Sequence, residues 1–223
     1  MAAPRSLVFC TDHWYHVFNR GIEGRRLFLV QRDYQRFLST LYYYQFYDIP
    51  MRYSYYLQLA PEFQKGVMQS LETHAKRVTI ASYCLMPNHF HFLIRQNTDD
   101  GISRYIADAS NSFSKYFNTK NSRIGTLFQG VFKAVHIESD EQMLHVSRYI
   151  HCNPHVSSLC DYESVFQYPW SSLSSYVEGT EDALIDKTYI LGHFSGKTTY
   201  REFIEDKLSF VKKNVELQHV LLE

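Results

Sequence analysis

The run Tyr83-Cys84-Leu85-Met86-Pro87-Asn88-His89-Phe90-His91-Phe92-Leu93-Ile94 admits few conformations. Pro87 presets its own backbone angle and Asn88 tolerates unusual ones, so the pair reads as a tight turn joining two strands. Beyond the turn His89, His91 and Leu93 alternate with Phe90, Phe92 and Ile94. A period of two sends both imidazoles to one face and three large apolar side chains to the other. At about 3.3 Å per residue the histidines stand roughly 7 Å apart along the strand, near enough to pinch one cation. Two ligands do not define a metal site, and in a chain with 11 histidines the pair fits a half-buried polar face as well.

With 223 residues, 45% of them hydrophobic, the chain can bury one sizeable core, as one domain with an extension or as two small ones. Lysine plus arginine equal aspartate plus glutamate at 23 each, so no net positive field advertises a nucleic-acid partner, although a local basic patch fits a neutral total. The 18 tyrosines suit stacking on unpaired bases and suit filling a core. Cys10, Cys84, Cys152 and Cys160 show no C-x-x-C spacing, so neither a zinc ribbon nor a dithiol redox motif is indicated, and a reduced, cytoplasmic protein fits best. The first ten residues lack the apolar stretch of a secretory signal, and no apolar run approaches the ~20 residues that span a bilayer. No membrane partner is therefore expected.

In chain order, Trp14 to Asn19 reads as a strand ended by Asn19-Arg20-Gly21, and Arg25-Arg26 follow in a loop where a phosphate backbone could meet them. Phe37, Leu38, Leu41 and Tyr42 predict a helix from about Asp33. An inserted helix starts near Pro61, with Phe63, Val67 and Leu71 as its stripe. Val78-Thr79-Ile80 leads into the hairpin. Ile102, Tyr105, Ile106, Ala109 and Phe113 then mark a helix ending before Asn118, and Leu127 to Ile137 reads as a strand. Without the insertion the order is β-α-β-β-α-β, an α+β, ferredoxin-like core whose antiparallel sheet carries helices on one face and leaves the other free to bind.

Ser139-Asp140-Glu141-Gln142 is a capping box opening a further helix, with Met143, Val146 and Ile150 as its buried stripe and Pro154 as its stop. His145, Tyr149 and Asn153, each four residues from the next, share another face. Tyr168-Pro169-Trp170-Ser171-Ser172 reads as a packing anchor and residues 178–182 as a linker. Thr199-Tyr200-Arg201-Glu202 caps a last helix with Tyr200, Phe203, Ile204, Leu208 and Val211 at helical spacing, a helical C-terminal extension.

Three pieces taken together resemble the tyrosine transposases of the His-hydrophobic-His type, most closely the REP-associated branch. They are Phe18-Asn19-Arg20-Gly21, Met86-Pro87-Asn88-His89-Phe90-His91 and Arg148-Tyr149-Ile150-His151-Cys152-Asn153-Pro154, supported by the stretch from Gly125 to Lys133 and by Trp170-Ser171-Ser172. The likeness spans roughly residues 13 to 175. It implies a transposase domain over 10–178, with an inserted segment at about 44–76, and the extension over 179–223.

The resemblance also implies a site: His89, His91 and Asn153 as ligands of a divalent cation, Mg²⁺ or Mn²⁺, and Tyr149 as the nucleophile. The implied reaction is nicking and rejoining of single-stranded DNA beside a hairpin-forming, REP-like palindrome through a covalent 5′-phosphotyrosine. Arg20, Arg104, Lys115, Arg123 and Lys133 are candidate phosphate contacts, and each fits solvated surface equally. Tyr116 is the reserve nucleophile. The resemblance allows a homodimer as well as a monomer. Two rival readings stand beside it: a non-catalytic single-strand binding module on the same sheet, and a metal-dependent phosphodiesterase in which water attacks phosphorus.

Overall fold

The computed structural model describes residues 7–194 and 199–208. In chain order these form β1 (Trp14–Arg20), α1 (Gln31–Tyr44), the inserted α2 (Tyr53–Tyr56) and α3 (Pro61–Leu71), β2 (Val78–Met86), β3 (His89–Gln96), α4 (Gly101–Lys120), β4 (Lys133–His136) and α5 (Asp140–Val156). Two short helices, α6 (Leu173–Val177) and α7 (Thr188–Leu191), precede a helical stretch at 200–208. The strands make one sheet in the order β2-β3-β1-β4 with every neighbour antiparallel. This is the ferredoxin-like arrangement that the element order predicts.

Alternation in β1 and β3 sorts the side chains. Tyr15, Val17, Phe90, Phe92 and Ile94 face α1 and α4, where they meet Phe37, Leu41, Tyr105, Ile106 and Phe113 in one fully buried cluster. Each large apolar side chain so buried contributes roughly 1.5–3 kcal/mol, which makes this layer the main source of stability. In β2 the pairing shifts register between Ile80 and Ser82. The bulge turns Ala81, Cys84 and Met86 toward the opposite face while Tyr83 and Leu85 keep to the first.

That opposite face is not free, contrary to the sequence-based expectation. Over β2 and β3 it is covered by α5 and the segments after it, with Met143 and Ile150 of α5 joined by Val165, Leu173 and Ile204 in packing with Ala81, Cys84, Met86 and Leu93. Apolar residues at positions facing away from α1 and α4 need a second cover, and the C-terminal third supplies it. Among the described residues, the Phe18 end of β1 and β4 keep half-buried or exposed side chains on this face, Val135 at 48% among them.

Other boundaries move for local reasons. Within Leu127 to Ile137 only Lys133–His136 pairs as strand, and Val131 and Val135 are exposed at 57% and 48% although they alternate like core residues. Residues 127–129 instead brace the end of β1, with Ile22 N–H donating to the Leu127 carbonyl and Gln129 N–H to that of Arg20. The helix expected to end before Asn118 runs to Lys120. Pro154 lies inside α5, which runs two residues past it to Val156 and closes with Ser157 N–H donating to the Asn153 carbonyl at 2.9 Å. Phe63 does not join a buried stripe in α3 and is 66% exposed.

The insert is pinched at its base, where Tyr47 N–H donates to Ala75 and Arg77 N–H to Gln45, at 2.8 Å each. The predicted linker is tied to β2 at its end and just beyond: Asp182 accepts from Tyr83 Oη at 2.8 Å and Asp186 N–H donates to Ile80 at 2.8 Å. The Thr199 capping box forms, with Thr199 N–H on Glu202 at 2.6 Å, and Tyr200, Ile204 and Leu208 are buried. Val211 lies outside the described residues. All four cysteines are free, and no helix among the described residues is long and apolar enough to cross a membrane.

Candidate active site

Three sequence pieces far apart in the chain meet at the β2–β3 turn. Gly21 N–H donates to the Asn88 carbonyl at 2.8 Å, and Leu27 and Phe28 N–H groups donate to the Pro87 carbonyl at 2.7 and 3.1 Å. Gly21 also bridges to Phe128. A side chain at position 21 is excluded, since its Cβ would lie 2.1 Å from the Arg25 carbonyl oxygen. The turn carrying the histidines is thus clamped by main-chain bonds from the loop after β1, which is itself braced by the 127–129 segment.

β3 presents His89 and His91 on the face away from α1, with ring centroids 5.0 Å apart and planes perpendicular. The β1 register sets Arg20 opposite His89 and Phe18 opposite His91. Residues at the same parity on β1 share that face, and His16 is one of them. Its Nε2 lies 2.9 Å from His91 Nδ1 and its ring stacks on His91 at 5.1 Å. Sequence reasoning passed over His16; the alternation of Trp14, His16 and Phe18 in an antiparallel neighbour of β3 was the signal.

α5 brings the remaining groups. Ser139 caps it, accepting from Gln142 N–H at 3.2 Å, while Gln142 accepts from Glu138 N–H at 2.8 Å. Its rotation about its axis is set by a buried polar chain. His151, wholly buried, bonds Tyr200 Oη through Nδ1 at 2.6 Å and Ser172 Oγ through Nε2 at 2.8 Å, and Ser172 Oγ accepts from Tyr83 N–H of β2 at 2.9 Å. So positioned, α5 turns Tyr149 and Asn153 toward the histidines. The Tyr149 ring stands edge-on to His91 at 5.5 Å and to His16 at 5.8 Å, and the residue is 44% exposed. Asn153, one turn further and 4% exposed, places Oδ1 3.3 Å from His89 Nε2. His145, on the same helical edge, points its bonds elsewhere, accepting from Arg148 at 2.8 Å.

The imidazoles are held neutral. Burial lowers the pKa of His16 to about 4 and, with the neighbouring His16 and His89, that of His91 to about 2; burial also lowers that of His89. His89 Nδ1 lies 2.7 Å from Asn88 Oδ1 and donates to it, leaving the lone pair on Nε2. That lone pair faces the Asn153 carbonyl oxygen, an arrangement of two acceptors that a cation satisfies and a proton-poor contact does not. No group of three or more His, Cys, Asp or Glu among the described residues forms a cation site. The convergent donors here are two imidazoles and an amide, a set suited to a divalent ion with positions left over. His16 and Asn88 each engage the remaining ring nitrogen of a histidine, as groups supporting metal-binding imidazoles do.

The candidate phosphate contacts separate. Arg20 lies beside His89 and bonds Gln129, and Lys133 sits opposite Phe18 on the open half of the same face. Arg104 and Lys115 belong to α4 on the other side of the sheet. Arg123 braces its own loop, donating to Asn118 at 3.0 Å and to the Thr126 carbonyl at 2.6 Å. Tyr116, the reserve nucleophile, also lies on α4 and donates to the buried Asp33 at 2.8 Å.

Residues 52–153 match the family model described as transposase IS200 like, a span that contains both histidines and Tyr149 and ends on Asn153. A solved REP-associated tyrosine transposase bound to a REP hairpin is similar in fold, with a TM-score of 0.54 and 15% identity over 83% of this chain and 92% of that one. No curated protein matches the chain. The resemblance carried by the motifs is thus met in sequence across residues 52–153, which are similar to the IS200-like transposases, and in fold across most of the chain.

Proposed function

We propose that the protein nicks and rejoins single-stranded DNA through Tyr149, beside a hairpin-forming, REP-like palindrome. The observation that carries this reading is the seating of Tyr149 against His91 and His16 while Asn153, one helical turn away, reaches His89. His89, His91 and Asn153 would hold the divalent ion, Mg²⁺ or Mn²⁺, which when bound polarises the phosphate to be attacked. Tyr149 Oη forms the new bond to phosphorus as the bond to the 3′ oxygen breaks; the phenol gives up its proton and the leaving oxygen takes one to become a 3′ hydroxyl. The reverse attack by a 3′ hydroxyl restores the tyrosine and joins DNA, with no outside energy source. His16 and Asn88 orient the two histidine rings, and Arg20 and Lys133 flank the path of a strand on the open half of the face. The partner is single-stranded or hairpin DNA, and a homodimer would leave this single-chain site intact.

The test is an adduct assay with labelled single-stranded hairpin DNA from the flanks of the gene, with Mn²⁺ or chelator, beside Tyr149→Phe. A metal-dependent covalent adduct is expected from the parent protein, with a loss of at least ~10³-fold in the variant. Cleavage that persists in Tyr149→Phe without an adduct would replace this reading with water attack, and binding without cleavage on every flank would replace it with a stacking module.

A further inference from the structure

The face opposite the histidines carries a second feature, a cleft of about 730 Å³ between α1, α4 and the start of the insert. Its size falls in the range of sites for small ligands, roughly 300–1,000 Å³. Four cations line it: Arg36 from α1, Arg52 just before α2, and Lys115 and Lys120 from α4. In a chain of zero net charge this is an uneven share.

The nearby carboxylates do not balance it. Asp108, itself part of the lining, is paired with Arg77 at 2.8 Å, and Asp33 with Lys120 at 2.5 Å, which leaves three of the four cations unpaired. Among the described residues Arg36, Arg52 and Lys115 make no ion pair. The Arg36 guanidinium is held between two rings, 4.6 Å from the centroid of Tyr53 and 5.1 Å from that of Tyr116, and its buried Nε has no hydrogen-bond partner. A planar cation fixed between aromatic faces loses little freedom on binding and offers its edge to an oxyanion. Asn111, Ser112 and Thr119 add neutral hydrogen-bonding groups on the same wall. Arg36, Arg52 and Lys115, gathered without ion-pair partners, repel one another, and a phosphate in the cleft relieves that repulsion.

We propose that this cleft binds a nucleotide phosphate, either the backbone of a DNA strand or a free nucleotide, and that the inserted segment completes it. Arg52 and Ser54 come from that segment, and Tyr53, which pins Arg36, comes from it too. The site lies on the helical layer, across the sheet from Tyr149, so the phosphate it takes is not the one under attack. Binding there does not depend on tyrosine chemistry.

The test uses the full chain and two probes, a single-stranded 30-mer followed by anisotropy across a salt series and dAMP followed by tyrosine fluorescence. Arg52→Ala with Lys115→Ala, both exposed residues, is compared with the parent and with Lys65→Ala, an exposed cation outside the cleft. Loss of two backbone contacts should reduce the slope of log K against log salt by roughly 1.4, at about 0.7 per contact, while Lys65→Ala leaves it unchanged. If dAMP instead gives a saturable response that the double variant lacks, the occupant is a free nucleotide. Arg36→Gln, checked for native circular dichroism, should reproduce whichever loss is seen. An unchanged salt slope together with no variant-sensitive dAMP response overturns the proposal. Tyr149→Phe should keep the same binding, so failure here and failure of the nicking reaction are read separately.

Discussion

The two sides of the sheet use their tyrosines and charges differently. On the α1 and α4 side the apolar layer is continuous, and the wholly buried carboxylate of Asp33 is satisfied by Lys120, Tyr116 and the Leu29 and Val30 N–H groups. Burial opposes the charge of Asp33, yet these bonds hold its pKa below the usual carboxylate range. On the α5 side the cover stops partway, and at its edge stand three neutral imidazoles with a half-exposed tyrosine above them. A saturated polar group stabilises a helix pair; an unsaturated set at the border of a core keeps capacity for something else. Tyr116 and Tyr149 are one of each kind.

The contrast can be broken or sharpened by experiment. His16→Ala removes the group behind His91 and should raise the Mn²⁺ concentration needed for half-maximal adduct formation by about 10–100-fold. An unchanged requirement would reduce His16 to a packing residue. Next in size is an effect of pH on stability. His16 and His151 ionise near 4 and 3 in the folded protein, against about 6.5 unfolded, so the unfolded chain binds more protons as pH falls. Their contribution is complete above about pH 6.5 and declines below it, with at most about 1.4 kcal/mol lost per pH unit for each histidine. Urea midpoints between pH 7.5 and 5 should fall, and less steeply in His16→Gln; parallel curves would contradict the assignment. Smallest is Tyr116→Phe, which gives up one hydrogen bond to Asp33 and should cost about 1 kcal/mol in urea unfolding with adduct yield unchanged. A loss of adduct there would erase the distinction between the two tyrosines.

Much of this was legible from residues in order. The alternation from His89 to Ile94 specified its strand and both of its faces, and the i, i+4 spacing of Tyr149 and Asn153 placed them on one edge of a helix whose start the Ser139 box marked. What was not legible is what depends on distant partners. Val131 and Val135 have the spacing of strand residues, but no layer among the described residues covers them, so periodicity overstated that strand. His16 became part of the site only through its register with β3. His151 looked like one more member of a motif, whereas its meaning lies in Tyr200 and Ser172, 49 and 21 residues away. The cover over β2 and β3 likewise depends on where the C-terminal third folds back, which no local pattern states.

Asn88 gives the loop after β1 mechanical purchase on the site. Its carbonyl takes Gly21 N–H, its amide nitrogen reaches the Gly24 carbonyl at 3.5 Å, and its side-chain oxygen takes the His89 proton. The 21–28 loop, with exposed Arg25 and Arg26 on its rim, is thereby bolted to the imidazole like a lever to its fulcrum. Displacement of that loop would be felt at the ring, because the one residue Asn88 bonds both.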